Sequence, residues 1–369
     1  MNVYFGNATF RNNDFRGRAI HIRQFIENSV ELGHTIWMES GSQHPDIQKM
    51  PQRRWEHLWA YRQMDAFYIR MQENAPAVCK WGVFPYRSLI QLPLMIWEFN
   101  TIPEFSRVMN GKDVNVERVR NSFRRFASGC DLAICVSERI VQYVRAEFGI
   151  RNAIFIPNGS DPNLFLAKQS IRPVLPEEPS RIRCVWIGSA DLAWNDFQLL
   201  LDAIELLNRT AAGNRYEFHL IGKDFPVHNL DIPNLTIHGP VNYLDLPAWL
   251  ASMDIGLVLY KPGSADFNSP LKLFDYLCAE LAVISTPQPQ ATQVLREING
   301  DQLVLEKNSP SELVQLLLRI SENPEQLKTL GIKGRESIIA KYNWANSIRK
   351  TYAAIQQLGE QQGRSVKNH

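Results

Sequence analysis

Short apolar runs alternate with helix-length stretches along the whole chain, in two series separated by a Pro-rich segment near the middle. In the first half the runs are Asn2–Gly6, Thr35–Met38, Asp65–Arg70, Leu94–Asn100 and Cys130–Val136. In the second they are Ile182–Gly188, Tyr216–Gly222 and Asp254–Tyr260. Runs apolar on both faces suit strands of a buried parallel sheet, and the stretches between them supply the crossover helices such a sheet needs. The pattern predicts an α/β chain with two doubly wound domains, and 369 residues is long for one core but ordinary for two.

Hydrophobic residues at 45% and charged residues at 21% are ordinary for a soluble globular protein. Cys79, Cys130, Cys135, Cys184 and Cys278 show no paired spacing and read as reduced core residues, which implies a reducing compartment. No apolar run approaches the ~20 residues of a membrane span, and the first strand begins at once, so a cytoplasmic location is expected. Residues 1–160 carry 20 Lys/Arg against 15 Asp/Glu, and 161–369 carry 20 against 23. The basic excess gathers at Arg53-Arg54 and in the helix pattern Arg118 to Arg125. It suits a solvated helix face, or peripheral contact with the anionic inner face of a membrane or a phosphate-bearing acceptor; no nucleic-acid partner is expected.

The chemistry reads most directly from Asp266 to Pro287, DFNSPLKLFDYLCAELAVISTP. Ser269 before Pro270 reads as a helix N-cap, and Leu271, Phe274, Cys278 and Leu281 form an apolar stripe. Lys272 and Asp275, three apart, share the other face. Free N–H groups at a helix start favour an anion, and Lys272 adds a full charge, so the end suits a diphosphate. Asp275, one turn further in, offers a carboxylate to both hydroxyls of a ribose. The plainer reading is a capped amphipathic helix with a weak surface ion pair.

This stretch resembles the donor-nucleotide motif of GT-B glycosyltransferases, especially retaining family 4 and related bacterial polysaccharide glycosyltransferases. There a Lys and an acidic residue precede a run that reads Tyr276-Leu-Cys-Ala-Glu280-Leu-Ala-Val-Ile284 here. Glu280 replaces the usual Gly and Ala282 the usual Pro. The family's earlier Glu falls on Phe267, so Asp266 or Asn268 takes its place at the sugar. The opening strand, Gly17, helix and Leu32-Gly-His34 resemble the start of the same enzymes, as do Cys130–Glu138 and Ile156-Pro-Asn-Gly-Ser160-Asp161 to Phe165.

The resemblance implies two Rossmann-like domains facing a central cleft. Residues 1–165 form an acceptor-binding domain, 166–180 a linker, 181–344 a donor-binding domain, about 345–358 a helix crossing back to the first domain, and 359–369 a disordered tail. It implies donor contacts at Gly17, Gly188, Ser189, Lys223, Val241, Asp266, Asn268, Ser269, Leu271, Lys272 and Asp275, and acceptor or sugar contacts at Asn100 and Arg16. Two cations that family 4 places on the diphosphate are replaced by Ser189-Ala190-Asp191 and Trp194-Asn195. The charge must then come from Lys272, with Lys223 or Lys261 as helpers.

The implied reaction moves a sugar from a nucleoside-diphosphate sugar, UDP-sugar favoured, to a saccharide or polyprenyl-linked acceptor. No Asp-x-Asp and no His cluster with ligand spacing occurs, so metal-independent transfer without a further cofactor is expected. An inverting reaction needs a base, for which Glu98 and Asp14 are the candidates beside Lys272 as the cationic catalyst; a retaining one needs none. A nicotinamide dehydrogenase is not expected, since no Gly-x-Gly-x-x-Gly follows a strand. A nucleotide-binding scaffold without turnover, or a sugar-nucleotide epimerase on the same fold, remains as alternative.

Overall fold

The computed structural model describes residues 1–11, 17–51, 54–71, 93–104, 115–176, 181–225 and 232–363. Its contacts divide the chain into two units: Met1–Asn158 with Phe267–Ser269 and Trp344–His369, and Gly159–Asp266 with Pro270–Asn343.

The first unit holds a parallel sheet of β1 (Asn2–Gly6), β2 (Thr35–Met38), β3 (Ile47–Lys49), β4 (Ala66–Arg70), β5 (Leu94–Phe99), β6 (Leu132–Cys135) and β7 (Ala153–Phe155). They lie in the order β3-β2-β1-β4-β5-β6-β7. The order reverses beside β1, which is the doubly wound pattern and sets ligand groups at the strands' carboxyl ends. β4 and β5 are buried at every position, as near-continuous apolar runs require. β3 lies inside the stretch 40–54, which reads as a polar loop. Its outward residues Gln48 and Lys49 are polar, and only pairing with β2 makes it a strand. The last helix, Trp344–Gln361, buries Ile348, Tyr352, Ile355 and Leu358 in the same core as Phe5, Phe25 and Ile26. It runs three residues into the stretch expected to be a disordered tail.

The second unit holds β8 (Ile182–Ser189), β9 (Tyr216–Lys223), β10 (Leu235–Gly239), β11 (Ile255–Val258) and β12 (Ala282–Ser285), in the order β10-β9-β8-β11-β12 and parallel throughout. The division falls at Asn158/Gly159. Part of the stretch expected as a linker is held by this unit: Val174 N–H donates to Ala248 O at 3.1 Å and Leu175 N–H to Ser252 Oγ at 3.1 Å.

The helix Leu271–Cys278 is the element on which the functional reading turns, and it is not amphipathic in place. Every residue from Leu273 to Ala279 is buried, Asp275 included. Ile187 N–H of β8 donates to Tyr276 Oη at 2.8 Å, and a Cβ on Gly256 of β11 would lie 2.3 Å from the Tyr276 ring. Gly256 is therefore what lets this helix lie flat on the sheet.

The helix ends in a Schellman motif: Leu281 N–H donates to Tyr276 O at 3.0 Å and Glu280 N–H to Leu277 O at 3.2 Å. That puts Glu280 at φ +61°, where the family pattern has Gly. Its carboxylate lies 3.6 Å from Arg335 Nε, which offsets part of the strain. Glu280→Gly should leave the urea midpoint unchanged or raised, whereas Glu280→Val, β-branched at positive φ, should cost about 1–2 kcal/mol.

Candidate active site

In the second unit, Gly188 and Gly222 pair across β8 and β9 near their carboxyl ends, at φ +151° and +145°. A Cβ on Gly222 would lie 1.7 Å from Gly188 O, so neither strand end tolerates a side chain at this approach. Lys272, second residue of the helix Leu271–Cys278, reaches this spot: a Cβ on Gly188 would sit 3.2 Å from its Nζ. The ammonium lies 4.3 Å from the centre of the Trp186 ring and 5.5 Å from that of Tyr260. It is buried and donates no hydrogen bond among the described residues. Burial lowers its pKa to about 7.

The wall facing it is built for rigidity. Tyr260 pairs with Asn195 as an isolated bridge, its N–H donates to Thr286 Oγ1 at 2.9 Å, and its carbonyl accepts from Asn308 Nδ2 at 2.6 Å. Asn195 Nδ2 donates to Ser189 O at 2.8 Å. A lone buried donor cation between two fixed ring faces, at paired strand-end glycines and the first turn of a helix, is a seat for an anion.

Asp275 lies one turn further along and is 4% exposed. Its Oδ1 accepts from Ser160 Oγ at 2.6 Å and from Tyr243 Oη at 3.1 Å. Burial raises its carboxyl to about 7 against the pull of those two hydrogen bonds. The expectation that both oxygens face a ribose is corrected here, because Oδ1 is spent inside the protein. Ser160 and Tyr243 are the functional neighbours that spacing could not reveal, since they reach Asp275 only through the fold.

Ser269 is not the helix cap. Pro270 holds that position, and Ser269 lies in the first unit, where its Oγ accepts from Asn158 N–H at 3.1 Å and its carbonyl from Asn158 Nδ2 at 2.9 Å. Phe267 O accepts from Ser137 Oγ in the same unit, and the Phe267 ring meets the edge of Tyr143 at 6.0 Å. Asn268 belongs to this first-unit segment, whereas Asp266 belongs to the second unit. There Asp266 lines a shallow recess with Lys261, Thr286, Gln288 and Asn308. Lys223 Nζ lies 2.9 Å from Asp224, so as a helper on the diphosphate it is already paired. Leu271 opens the helix, and Val241 follows β10 half-buried.

In the first unit, Glu98 stands near the carboxyl end of β5 in a closed polar cluster. Its Oε1 accepts from Tyr68 Oη at 2.9 Å and lies 3.0 Å from His21 Nε2; its Oε2 lies 3.6 Å from Arg70 NH1. Arg70 NH1 is 2.9 Å from His21 Nδ1, and a guanidinium only donates. His21 Nδ1 is therefore the acceptor, Nε2 carries the proton toward Glu98, and the imidazole is neutral, in keeping with the pKa that burial lowers. Burial alone would raise the Glu98 carboxyl, but the hydrogen bonds from His21 and Tyr68 and the charge of Arg70 pull it below the usual carboxylate range. A carboxylate so stabilised is a poor base, which corrects the expectation of Glu98 as general base. Asn100 Nδ2, just past β5, is buried without a partner among the described residues. Gly17 begins the helix Gly17–Glu31 and is exposed. The catalytic expectation at Asp14 and the acceptor contact at Arg16 lie outside the described residues.

In the basic helix Val116–Ala127, Arg120 and Arg124 are paired locally. Arg124 meets Glu117 at 2.7 Å and Glu147 at 3.1 Å, and Arg120 meets Glu104 at 3.0 Å. Among the described residues no helix is long and apolar enough to cross a membrane. The cysteines Cys130, Cys135, Cys184 and Cys278 are free.

Residues 198–353 match the family described as Glycosyl transferase-like. Among solved structures, sucrose-phosphate synthase from Thermosynechococcus elongatus is similar with a TM-score of 0.64 at 14% identity, covering 98% of this chain and 99% of that one. HepE from Anabaena, solved in complex with UDP-glucose, gives a TM-score of 0.66 at 14% identity over 98% and 99%. The α,α-trehalose 6-phosphate synthase from Burkholderia multivorans gives 0.66 at 11% over 98% and 99%. This chain has the GT-B glycosyltransferase fold. Among curated proteins no sequence matches it significantly.

Proposed function

We propose that the chain transfers a sugar from a nucleoside-diphosphate sugar, a UDP-sugar in first place, to a saccharide or polyprenyl-linked acceptor. The setting is bacterial surface polysaccharide or glycoconjugate synthesis on the cytoplasmic side. The observation that carries this is the unpartnered ammonium of Lys272 beside Gly188. That HepE is solved with UDP-glucose on a like fold supports the choice of donor. Lys272 and the helix start supply the positive charge a leaving diphosphate needs, so no divalent metal is required in the step. With Glu98 held ionised and enclosed, an inverting transfer would rest on Asp14 as its base, whereas a retaining one needs no base because the leaving phosphate itself takes the acceptor's proton.

A second reading, a scaffold that binds nucleotide without turnover, draws on Phe267. It stands where the family's sugar-binding acid falls, and its ring packs on Tyr143. Turnover of radiolabelled UDP-, GDP- and ADP-sugars decides between them: transfer to an added saccharide or lipid acceptor supports the enzyme, and binding with no transfer or hydrolysis supports the scaffold.

Donor affinity should depend on pH with a definite sign. Free Lys272 titrates at about 7, and a bound diphosphate favours its ammonium form, raising that value. Below pH 7 the group is charged with or without donor. From pH 7 up to the raised value, binding takes up a proton and weakens by up to ~10-fold per unit. Calorimetry with UDP-glucose in buffers of different protonation enthalpy reads this uptake. Affinity that is flat from pH 7 to about 9, with no proton taken up, would remove Lys272 from the diphosphate.

A further inference from the structure

Trp186 of β8 lies beside Lys272 without making a side-chain hydrogen bond. It is fully buried, its ring is 5.7 Å from that of Phe197 and 5.8 Å from that of Phe225, and its Nε1 has no partner among the described residues. A Phe would fill much of this space without burying an unpaired N–H, which costs free energy. What the indole adds is the strongest ring face for a cation, and Lys272 Nζ lies 4.3 Å from its centre against 5.5 Å from that of Tyr260. A Cβ on Gly188 would lie 3.2 Å from the Trp186 Cη2 and from the Lys272 Nζ alike, so the bare strand end leaves both open.

The charged groups on the surrounding elements are engaged elsewhere. Asp191 and Asp224 meet at Ser189 Oγ, at 2.6 and 2.7 Å, and Lys223 is paired with Asp224. Lys261 follows Tyr260, whose hydroxyl burial keeps protonated. On the helix itself Asp275 is bound by Ser160 and Tyr243, and Tyr276 Oη by Ile187 N–H. Burial is the one cause that acts on the Lys272 titration, and it works against the charge.

Resting on the donor site proposed above, we infer that Trp186 is a positioning residue for the transfer: its ring face keeps the Lys272 ammonium charged and in place while leaving its N–H groups for the donor. A carboxylate would hold the lysine too, but it would take those N–H groups and cancel the charge that the diphosphate needs. A ring face does neither.

The sign follows from what the ring attracts. It favours the ammonium over the free amine, so without it Lys272 loses its proton at a lower pH, by about one unit for an interaction of this class. Calorimetry compares the wild type with Trp186→Leu at about pH 5.5 and about pH 8, using whichever of UDP-, GDP- and ADP-glucose the wild type binds most tightly. The expected affinity of the variant is within about threefold of wild type at the lower pH, where the ammonium forms in both, and about 10-fold weaker at the higher. Trp186→Phe keeps a weaker ring face and much of the packing; its loss should be smaller but should also grow with pH, and it is the variant read if Trp186→Leu does not fold. An equal loss at both pH values, or none at either, would make Trp186 a packing residue only and overturn the inference while donor binding stands. Binding of none of the three sugar nucleotides by the wild type would overturn the donor-site reading itself, and the inference with it.

Discussion

Lys272→Ala should lower kcat/KM for the sugar nucleotide by about 10- to 1000-fold, the range found when one preorganised donor to developing charge is removed. The structure adds a second, opposite expectation that separates a functional role from a structural one. Nζ is buried, has no hydrogen-bond partner among the described residues and titrates at about 7 rather than near its ordinary value. A Lys whose folded pKa is depressed binds fewer protons folded than unfolded. Its stability contribution therefore worsens as pH falls from about 10.5 to 7, by the order of a few kcal/mol. The ring faces of Trp186 and Tyr260 return part of that, about 2 kcal/mol. Lys272→Met, which keeps the stem and removes the charge, should thus raise the melting temperature of the ligand-free protein while losing turnover as the Ala variant does. A structural lysine would show the reverse, lower stability with turnover following the folded fraction. Near-normal turnover in a well-folded Lys272→Met protein would take the residue off the diphosphate.

What could be read from the sequence follows from which forces act locally. β1 and β2 appear with their observed bounds because Gly6 and Gly33-His34 punctuate continuous apolar runs, and both signals lie within a few residues. β3 does not, because a three-residue polar edge strand exists only by pairing with Ile36–Met38. Lys272 could be placed at a helix start from its neighbours alone. Its surroundings could not, since three-residue spacing cannot tell a polar face turned to solvent from one turned to an internal polar site. Asp275 illustrates the cost: its partners Ser160 and Tyr243 come from other elements, and they convert an open carboxylate into one with a single free oxygen. Glu98 fails as a base for the same reason. Its strand-end position was legible, whereas the Arg70 and His21 that hold its charge arrive from β4 and the first helix.

Glu98→Ala should destabilise the first unit by about 3–5 kcal/mol, because it leaves the Arg70 guanidinium buried beside a neutral imidazole with no counter-charge. The titration of the carboxyl agrees in direction: the hydrogen bonds from His21 and Tyr68 and the charge of Arg70 oppose the effect of burial and favour its ionised form. The sign is fixed: a carboxylate held low stabilises the fold above its unfolded pKa, and that contribution is lost as pH falls from 4.5 through the lower folded value. Urea midpoints of the wild type should fall across that window, and those of Glu98→Ala should fall less. Glu98→Gln then separates stability from chemistry, since it keeps the shape and can still accept from Tyr68 or His21. Removing a general base costs about 10²- to 10⁴-fold in rate. Because Glu98 is enclosed and already ionised by its partners, Glu98→Gln assayed where it is folded should keep its turnover within about tenfold of wild type. A thousandfold loss in the folded variant would restore Glu98 to the reaction and make the transfer an inverting one.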